Sequence, residues 1–229
     1  MHTPLTQLEE EVTACRLCPR LVSFRETVPV RAAFKSQEYW RRPILAHGDP
    51  DAWLMVLGLA PAAHGGNRTG RVFTGDESAR FLMRALHRTG FANQPTSLSR
   101  DDGLRLNGCY ITAAVRCVPP DNKPTPQEFK QCGRYLDREF ELLTNLRAVV
   151  ALGQLAFKAY TDFLARNGSK PESTKFAHGA RVRVRGMPWL YGSYHPSPRN
   201  TYTGKLTEDM LVEVFERAKT DWPTAQGVT

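Results

Sequence analysis

Ala52-Trp53-Leu54-Met55-Val56-Leu57-Gly58 is an apolar run of strand length that stops on a glycine. A strand buried on both faces reads this way, continuously apolar with no alternation, and such strands belong to parallel sheets. Cys109 to Val115, Ala148 to Gly153 and Trp189 to Tyr194 repeat the pattern, while Arg181 to Arg185 alternates Arg with Val as a half-exposed strand does. Helical spacing fills the intervals. From Glu77, Phe81, Leu82, Ala85 and Leu86 share one face until Gly90 ends it. Thr125-Pro126 with Glu128 is a helix start, for a helix carrying Phe129, Cys132, Leu136, Phe140 and Leu143 on one side. Gln154 to Leu164 and Lys205 to Lys219 are the later helices. This alternation predicts an α/β fold, a three-layer α/β/α sandwich with a central, mainly parallel four-stranded sheet.

Further out, Leu5, Leu8, Val12 and Cys15 recur at helical spacing, so Leu5 to Cys18 is expected as an N-terminal helix. Val22 to Pro50 keeps no period and holds Pro29, Pro43 and Pro50, and it reads as an irregular connection. One domain is expected over residues 1–229, with 1–50 an N-terminal helix and irregular segment and 220–229 a loose tail. A chain of 229 residues can bury a core without disulfides. Its 41% hydrophobic and 24% charged content excludes disordered, collagen-like and coiled-coil chains. No apolar run approaches the ~20 residues of a membrane span. With Glu9, Glu10 and Glu11 the N-terminal stretch is unlike a secretory signal, so a cytosolic protein is expected.

Lys and Arg number 31 against 23 Asp and Glu, a formal charge of +8, and 23 of the 31 cations are Arg. The guanidinium fork matches phosphate oxygens in pairs, and a basic surface draws polyanions, nucleic acid foremost. A compositional bias towards Arg with a need for solubility produces the same balance.

Cys15-Arg16-Leu17-Cys18 lets two thiolates reach one metal centre from a single turn, and Cys117 and Cys132 stand on either side of a proline-dense loop, Val118 to Pro126. Four thiolates hold zinc or an iron–sulfur cluster, and a single Cys-x-x-Cys with two isolated partners favours the cluster over a zinc ribbon. Reduced core cysteines are the plainer reading. Cys109 lies in a strand pattern and suits the core.

Three unusual loops leave carboxyl ends of strands, where ligands of α/β sheets sit. After Gly58 comes a small-residue loop, Leu59-Ala60-Pro61-Ala62-Ala63-His64-Gly65-Gly66-Asn67-Arg68-Thr69-Gly70-Arg71, whose backbone amides can approach a phosphate or a carbonyl. It has neither a Walker ending nor a dinucleotide fingerprint, so no nucleotide cofactor is expected. Phe73-Thr74-Gly75-Asp76 then leads into a helix. Asp76 suits a helix cap, and it also suits a carboxylate that orients water. His195-Pro196-Ser197-Pro198-Arg199-Asn200 follows the last strand, a histidine framed by prolines where a ligand contact is expected.

Together these features resemble the uracil-DNA glycosylase superfamily in its iron–sulfur branches. Gly58-Leu59-Ala60-Pro61-Ala62 and His195-Pro196-Ser197 resemble that superfamily's motif pair, and Cys15, Cys18, Cys117 and Cys132 resemble its cluster ligands. Ala62 to Arg71 followed by Phe73-Thr74-Gly75-Asp76 is similar to family 5, the b-type enzymes, and the resemblance runs from about residue 10 to residue 217. Other branches carry a polar or acidic catalytic residue in or just after the first motif, where Ala60-Pro61-Ala62-Ala63 offers none.

The resemblance implies a monofunctional DNA glycosylase that starts base excision repair, acting on uracil and, with few discriminating groups, on hypoxanthine and other deaminated bases. Asp76 is implied to orient water, with Asn122 and His195 at the base. Gly58, Ala60, Pro61 and Phe73 complete the base site, and Arg68, Arg71, Ser197, Arg199 and Asn200 are expected on the DNA backbone, with Arg199, Asn200 or Tyr202 as the duplex wedge. A structural [4Fe-4S] cluster, single- or double-stranded DNA as partner, a monomer and a nucleoid-associated cytoplasmic location complete the expectation. Two rivals remain at this level: a non-catalytic, metal-containing nucleic-acid binder, and a nucleoside hydrolase on a similar fold.

Overall fold

The computed structural model describes residues 3–221 apart from 184. In chain order the elements are α1 (Pro4–Thr13), α2 (Pro19–Thr27), a 3-10 turn (Ala32–Phe34), β1 (His47–Gly48), β2 (Leu54–Gly58), α3 (Gly66–Thr69) and α4 (Glu77–Arg88). Then come β3 (Cys109–Ala113), a 3-10 turn (Pro120–Asn122), α5 (Pro126–Leu142), β4 (Ala148–Leu152) and α6 (Gln154–Arg166). β5 (Arg181–Val182), β6 (Trp189–Ser193), α7 (Pro198–Tyr202) and α8 (Glu208–Thr220) close the chain. No helix among the described residues is long and apolar enough to cross a membrane.

The sheet order is β1-β3-β2-β4-β6-β5. β3, β2, β4 and β6 are parallel, which is the four-stranded centre expected above. The sheet nevertheless has six strands, because β1 and β5 add short antiparallel edges. β1 falls in the stretch expected to be irregular, and two residues are too few to show a period. The expected strand Arg181 to Arg185 is reduced to its first two residues, and 184 lies outside the described residues.

Alternate residues of each central strand face opposite layers, and both layers are apolar. Leu54 and Val56, with Ile111 and Val150, pack under α4 and α8 beside Leu82, Leu86 and Phe215. Met55, Leu57, Val149 and Ala151 face α5 and α6, against Leu136, Phe157 and Tyr160. The three-layer sandwich follows from that two-sided burial.

The N-terminal expectation needs correcting. α1 stops at Thr13, and Cys15 to Cys18 form the link into a second helix that begins on Pro19. α2 buries only Leu21, Val22 and Arg25, so no apolar stripe announced it. The tail expectation is corrected at its start too. Thr220 closes α8, while Asp221 accepts a hydrogen bond from the Tyr191 hydroxyl (2.8 Å) and pairs with Arg181 (2.5 Å). Residues 222–229 lie outside the described residues.

α5 starts as its sequence predicts. The Thr125 hydroxyl accepts from the Glu128 amide (3.3 Å), and the Glu128 carboxylate accepts from the Thr125 amide (2.7 Å). Arg20 of α2 clamps that carboxylate with two hydrogen bonds of 2.8 and 2.6 Å, fastening α2 to the head of α5.

Candidate active site

The loop after β2 is zipped to the loop after β3, where the Ala114 and Val115 amides donate to the Gly58 and Leu59 carbonyls at 3.0 and 2.9 Å. It then folds back on itself, the Gly65 and Asn67 amides both donating to the Ala62 carbonyl. Arg68 ties it to the start of α4. Its guanidinium donates to the carbonyls of His64 and Gly75 (both 2.7 Å) and to Gln37 (2.6 Å), and it lies 4.0 Å over the Phe34 ring.

Arg68 and Arg71 were expected on the DNA backbone, and the structure places both inside the protein. The Arg71 guanidinium is occupied by Asp102 (2.9 Å), Ser97 (2.9 Å), Thr74 (2.9 Å) and the Arg100 carbonyl (3.2 Å). Buried guanidinium groups engaged in this way hold loops of the protein together rather than reaching out to a phosphate.

Asp76 does the first of the two things its position suggested. One carboxylate oxygen accepts the Ala79 amide at 2.9 Å and caps α4. The other stands against Gly65, so close that a Cβ there would collide with it, which is why that loop position is glycine. Burial raises the Asp76 pKa, opposed by the amides of Ala79 and Ser78 and by Arg68. Half of this carboxylate therefore faces the first loop in a desolvated setting.

Phe73 has φ of +43°, a left-handed conformation that costs a bulky residue about 1–3 kcal/mol and concentrates at functional sites. The strain aims its ring at β2, where Cε2 comes within 2.7 Å of the place a Gly58 Cβ would occupy. The ring centroid is 6.1 Å from that of His195, at 33°. His195 leaves β6 with its Cβ over Gly153, at the carboxyl end of β4. Burial lowers its pKa to about 4, so the imidazole is neutral at pH 7. No group among the described residues hydrogen-bonds that ring. Its backbone carbonyl is braced by the Ser197 amide and the Asn200 side chain, both at 2.8 Å.

Asp76, Phe73, His195 and the first loop thus come together. Asn122 is not hydrogen-bonded to them. It sits exposed in the loop after β3, left-handed like Asp121 before it (φ of +56° and +53°). β3 and β6 are three strand spacings apart, roughly 14 Å at ~4.8 Å each. No hydrogen bond among the described residues joins its side chain to Asp76 or His195. Ala60 packs against the buried cluster of Leu21, Val115 and Cys117, and Pro61 is buried against Gly66, so both offer the crevice backbone alone. Ser197 heads α7 and Arg199 is exposed, as a phosphate contact requires; Asn200 has its amide engaged by His195.

Cys15, Cys18, Cys117 and Cys132 line one small cavity with Leu21, Arg25 and Tyr135. Arg25 is buried there, donating to the Cys117 sulfur (3.0 Å) and the Cys15 carbonyl (3.2 Å), while its Nε has no partner. The Arg116 amide donates to the Cys132 sulfur at 3.2 Å. Burial raises the Cys117 thiol to about 11 and Cys132 to about 12. All five cysteines are free, and no three His, Cys, Asp or Glu side chains among the described residues close on a single-ion geometry. Four thiols around one apolar cavity, with a buried cation whose Nε lacks an acceptor, suit an anionic thiolate cluster.

Sequence reasoning missed the residues that wire these parts together. The Asn67 amide bonds the Arg25 carbonyl (3.1 Å), linking the cysteine cavity to the Asp76 loop, and the Tyr39 hydroxyl bonds His64 (2.9 Å). Glu139 is buried with Arg116 (2.5 Å), Thr112 and Tyr110. Each partner is distant in sequence, so no local spacing marks it.

A family profile described as "Uracil DNA glycosylase superfamily" matches residues 45–219. The chain is 50% identical over 211 residues to a Type-5 uracil-DNA glycosylase of Thermus thermophilus, covering 92% of this chain and 94% of the relative. It is 47% identical over 224 residues to a Type-5 uracil-DNA glycosylase of Pyrobaculum aerophilum, covering 96% of each. Another of that type, from Mycobacterium tuberculosis, is 47% identical over 219 residues, covering 94% of this chain and 81% of the relative.

Proposed function

The chain belongs to the uracil-DNA glycosylase superfamily, and from that premise we propose that it hydrolyses the N-glycosidic bond of uracil in DNA, with Asp76 and His195 as catalytic residues. The observation that carries this reading is the divided carboxylate of Asp76, one oxygen capping α4 and the other turned to the glycine of the first loop.

The lesion nucleotide leaves the stack at a few kcal/mol, less for a mispaired base. Phe73 offers the extruded base a face and Asn122 a polar edge, from loops whose strained backbones fix them. As the bond from base nitrogen to sugar carbon breaks, the sugar gains oxocarbenium character and the base becomes an anion. Neutral His195 and amides of the first loop donate hydrogen bonds to that anion. Asp76 holds water against the sugar carbon and offsets the cation. The new carbon–oxygen bond releases the water's proton, through Asp76, to solvent. Ser197 and Arg199 hold the flanking phosphates. The groups this reading needs all come from one chain, working on DNA in the cytoplasm.

Cys15, Cys18, Cys117 and Cys132 would hold a [4Fe-4S] cluster, which supplies a structural tie between the α1–α2 link and α5 and no step of the hydrolysis. Because Ala60 to Ala63 present no polar side chain, the base site discriminates weakly, and hypoxanthine is a second substrate.

A labelled duplex holding one uracil, incubated with the protein and then treated with alkali, should break at the lesion, and a hypoxanthine duplex should break more slowly. An intact uracil duplex, with salt-sensitive binding, would establish the non-catalytic reading; release of base from free nucleosides alone would establish the nucleoside hydrolase.

A further inference from the structure

Leu98 and Tyr202 are the most exposed large apolar side chains of the described residues, at 66% and 74%. A lone exposed leucine is ordinary. What distinguishes these two is where they are anchored. The Gly75 amide, one residue before Asp76, donates to the Ser97 carbonyl at 2.8 Å. The Tyr202 hydroxyl reaches Glu77, one residue after Asp76, at 3.4 Å. The two residues are therefore fastened to the chain on either side of Asp76.

The loop that carries Leu98 is held rigidly. Asp102 accepts the amides of Leu98 (2.6 Å), Ser99 (3.3 Å) and Leu104 (3.1 Å), and it is itself paired with buried Arg71. Ser97 shares a hydrogen bond with Thr74 (2.8 Å) inside the same network. Beyond Leu98, the guanidinium of Arg100 lies 4.3 Å over the Trp40 ring, with that of Arg42 at 5.6 Å. These residues line a polar cleft of about 580 Å³ that also holds Glu38 and Asp101. An apolar tip on a stiff base, next to arginines stacked on an indole, is the chemistry of a wedge between base pairs with a phosphate grip beside it.

We propose that the 97–102 loop is a second duplex-engaging element, opposite α7, in which Leu98 enters the DNA beside the extruded nucleotide and Arg100, stacked on Trp40, holds a flanking phosphate. This rests on the glycosylase reading and deepens it. The loop explains why Arg71 is spent on Asp102: the ion pair sets the height of Leu98 relative to Asp76.

The test compares single-turnover uracil release from duplex and from single-stranded DNA. Leu98→Ala should lose about tenfold or more on the duplex and less than about twofold on the single strand. Leu98→Met should restore most of the duplex rate, and both variants should melt within about 2 °C of the parent because the side chain is exposed. Arg100→Ala should weaken duplex binding and lower its salt slope by about one. A Leu98→Ala variant equal to the parent on duplex, or impaired equally on both substrates, overturns the wedge. A parent protein that releases uracil from neither substrate removes the glycosylase reading and this inference with it, and that outcome is distinct from a working parent matched by Leu98→Ala.

Discussion

His195 and Asp76 were legible as site candidates because each stands at a strand or helix terminus where a polar side chain is out of place in a core. Arg68 and Arg71 were misread for the converse reason. An arginine in a glycine-rich loop looks like a phosphate ligand, but the carboxylate that holds Arg71, Asp102, lies 31 residues on, and the Gln37 side chain that holds Arg68 lies 31 residues back. The electrostatics of His195 yields a directional prediction. Its folded pKa of about 4 is below the unfolded value of 6.5, so on acidification the unfolded chain takes the proton first. The stability from keeping it neutral is whole above about pH 6.5 and drains away between there and about pH 4, and half-buried His47 adds in the same sense. Excision should accordingly be level between about pH 6 and 8, then fall with thermal stability towards pH 4, and the raised pKa of Asp76 works in the same direction. A rate limb near pH 6.5, absent from the His195→Ala variant, would show the imidazole titrating as a solvent-exposed one.

Among the elements, the four parallel strands were readable because burial on both faces leaves an uninterrupted apolar run, and α5 because Thr125, Pro126 and Glu128 spell a capping box. α2 was not, since what it buries is the guanidinium of Arg25, directed at Cys117, with only Leu21 and Val22 beside it. That helix makes sense once the cysteines are seen as its partners: the α1–α2 link brings Cys15 and Cys18, and α5 brings Cys132. If a cluster joins them, the purified protein should be brown and contain iron with acid-labile sulfide. Stripping the iron should lower the melting temperature and open the α1–α2 link to protease, while a colourless protein with zinc would replace the cluster by a single-ion site. Loss of the Arg25 counter-charge predicts the same trend, so Arg25→Ala should bind iron less tightly.

Across the whole molecule, the sheet order puts the loop after β2 between those after β3 and β4, so small movements of the first motif are confined on two sides. The arginine excess that pointed to a polyanion is partly consumed inside: Arg25, Arg68, Arg71 and Arg116 are all buried and structural. Exposed Arg42, Arg100 and Arg199 are among the cations left for the DNA that the proposed function requires. All of this converges on one carboxylate held by a helix amide on one side and facing the first loop on the other. Asn caps a helix about as well as Asp, so Asp76→Asn keeps α4 and removes the charge. The direct measurement is single-turnover uracil release by the parent and by Asp76→Asn, with their melting temperatures. The account predicts a rate lower by about a hundredfold to ten-thousandfold at a melting temperature within about 2 °C; an Asp76→Asn protein that excises uracil at the parent rate would mean that the carboxylate only caps the helix.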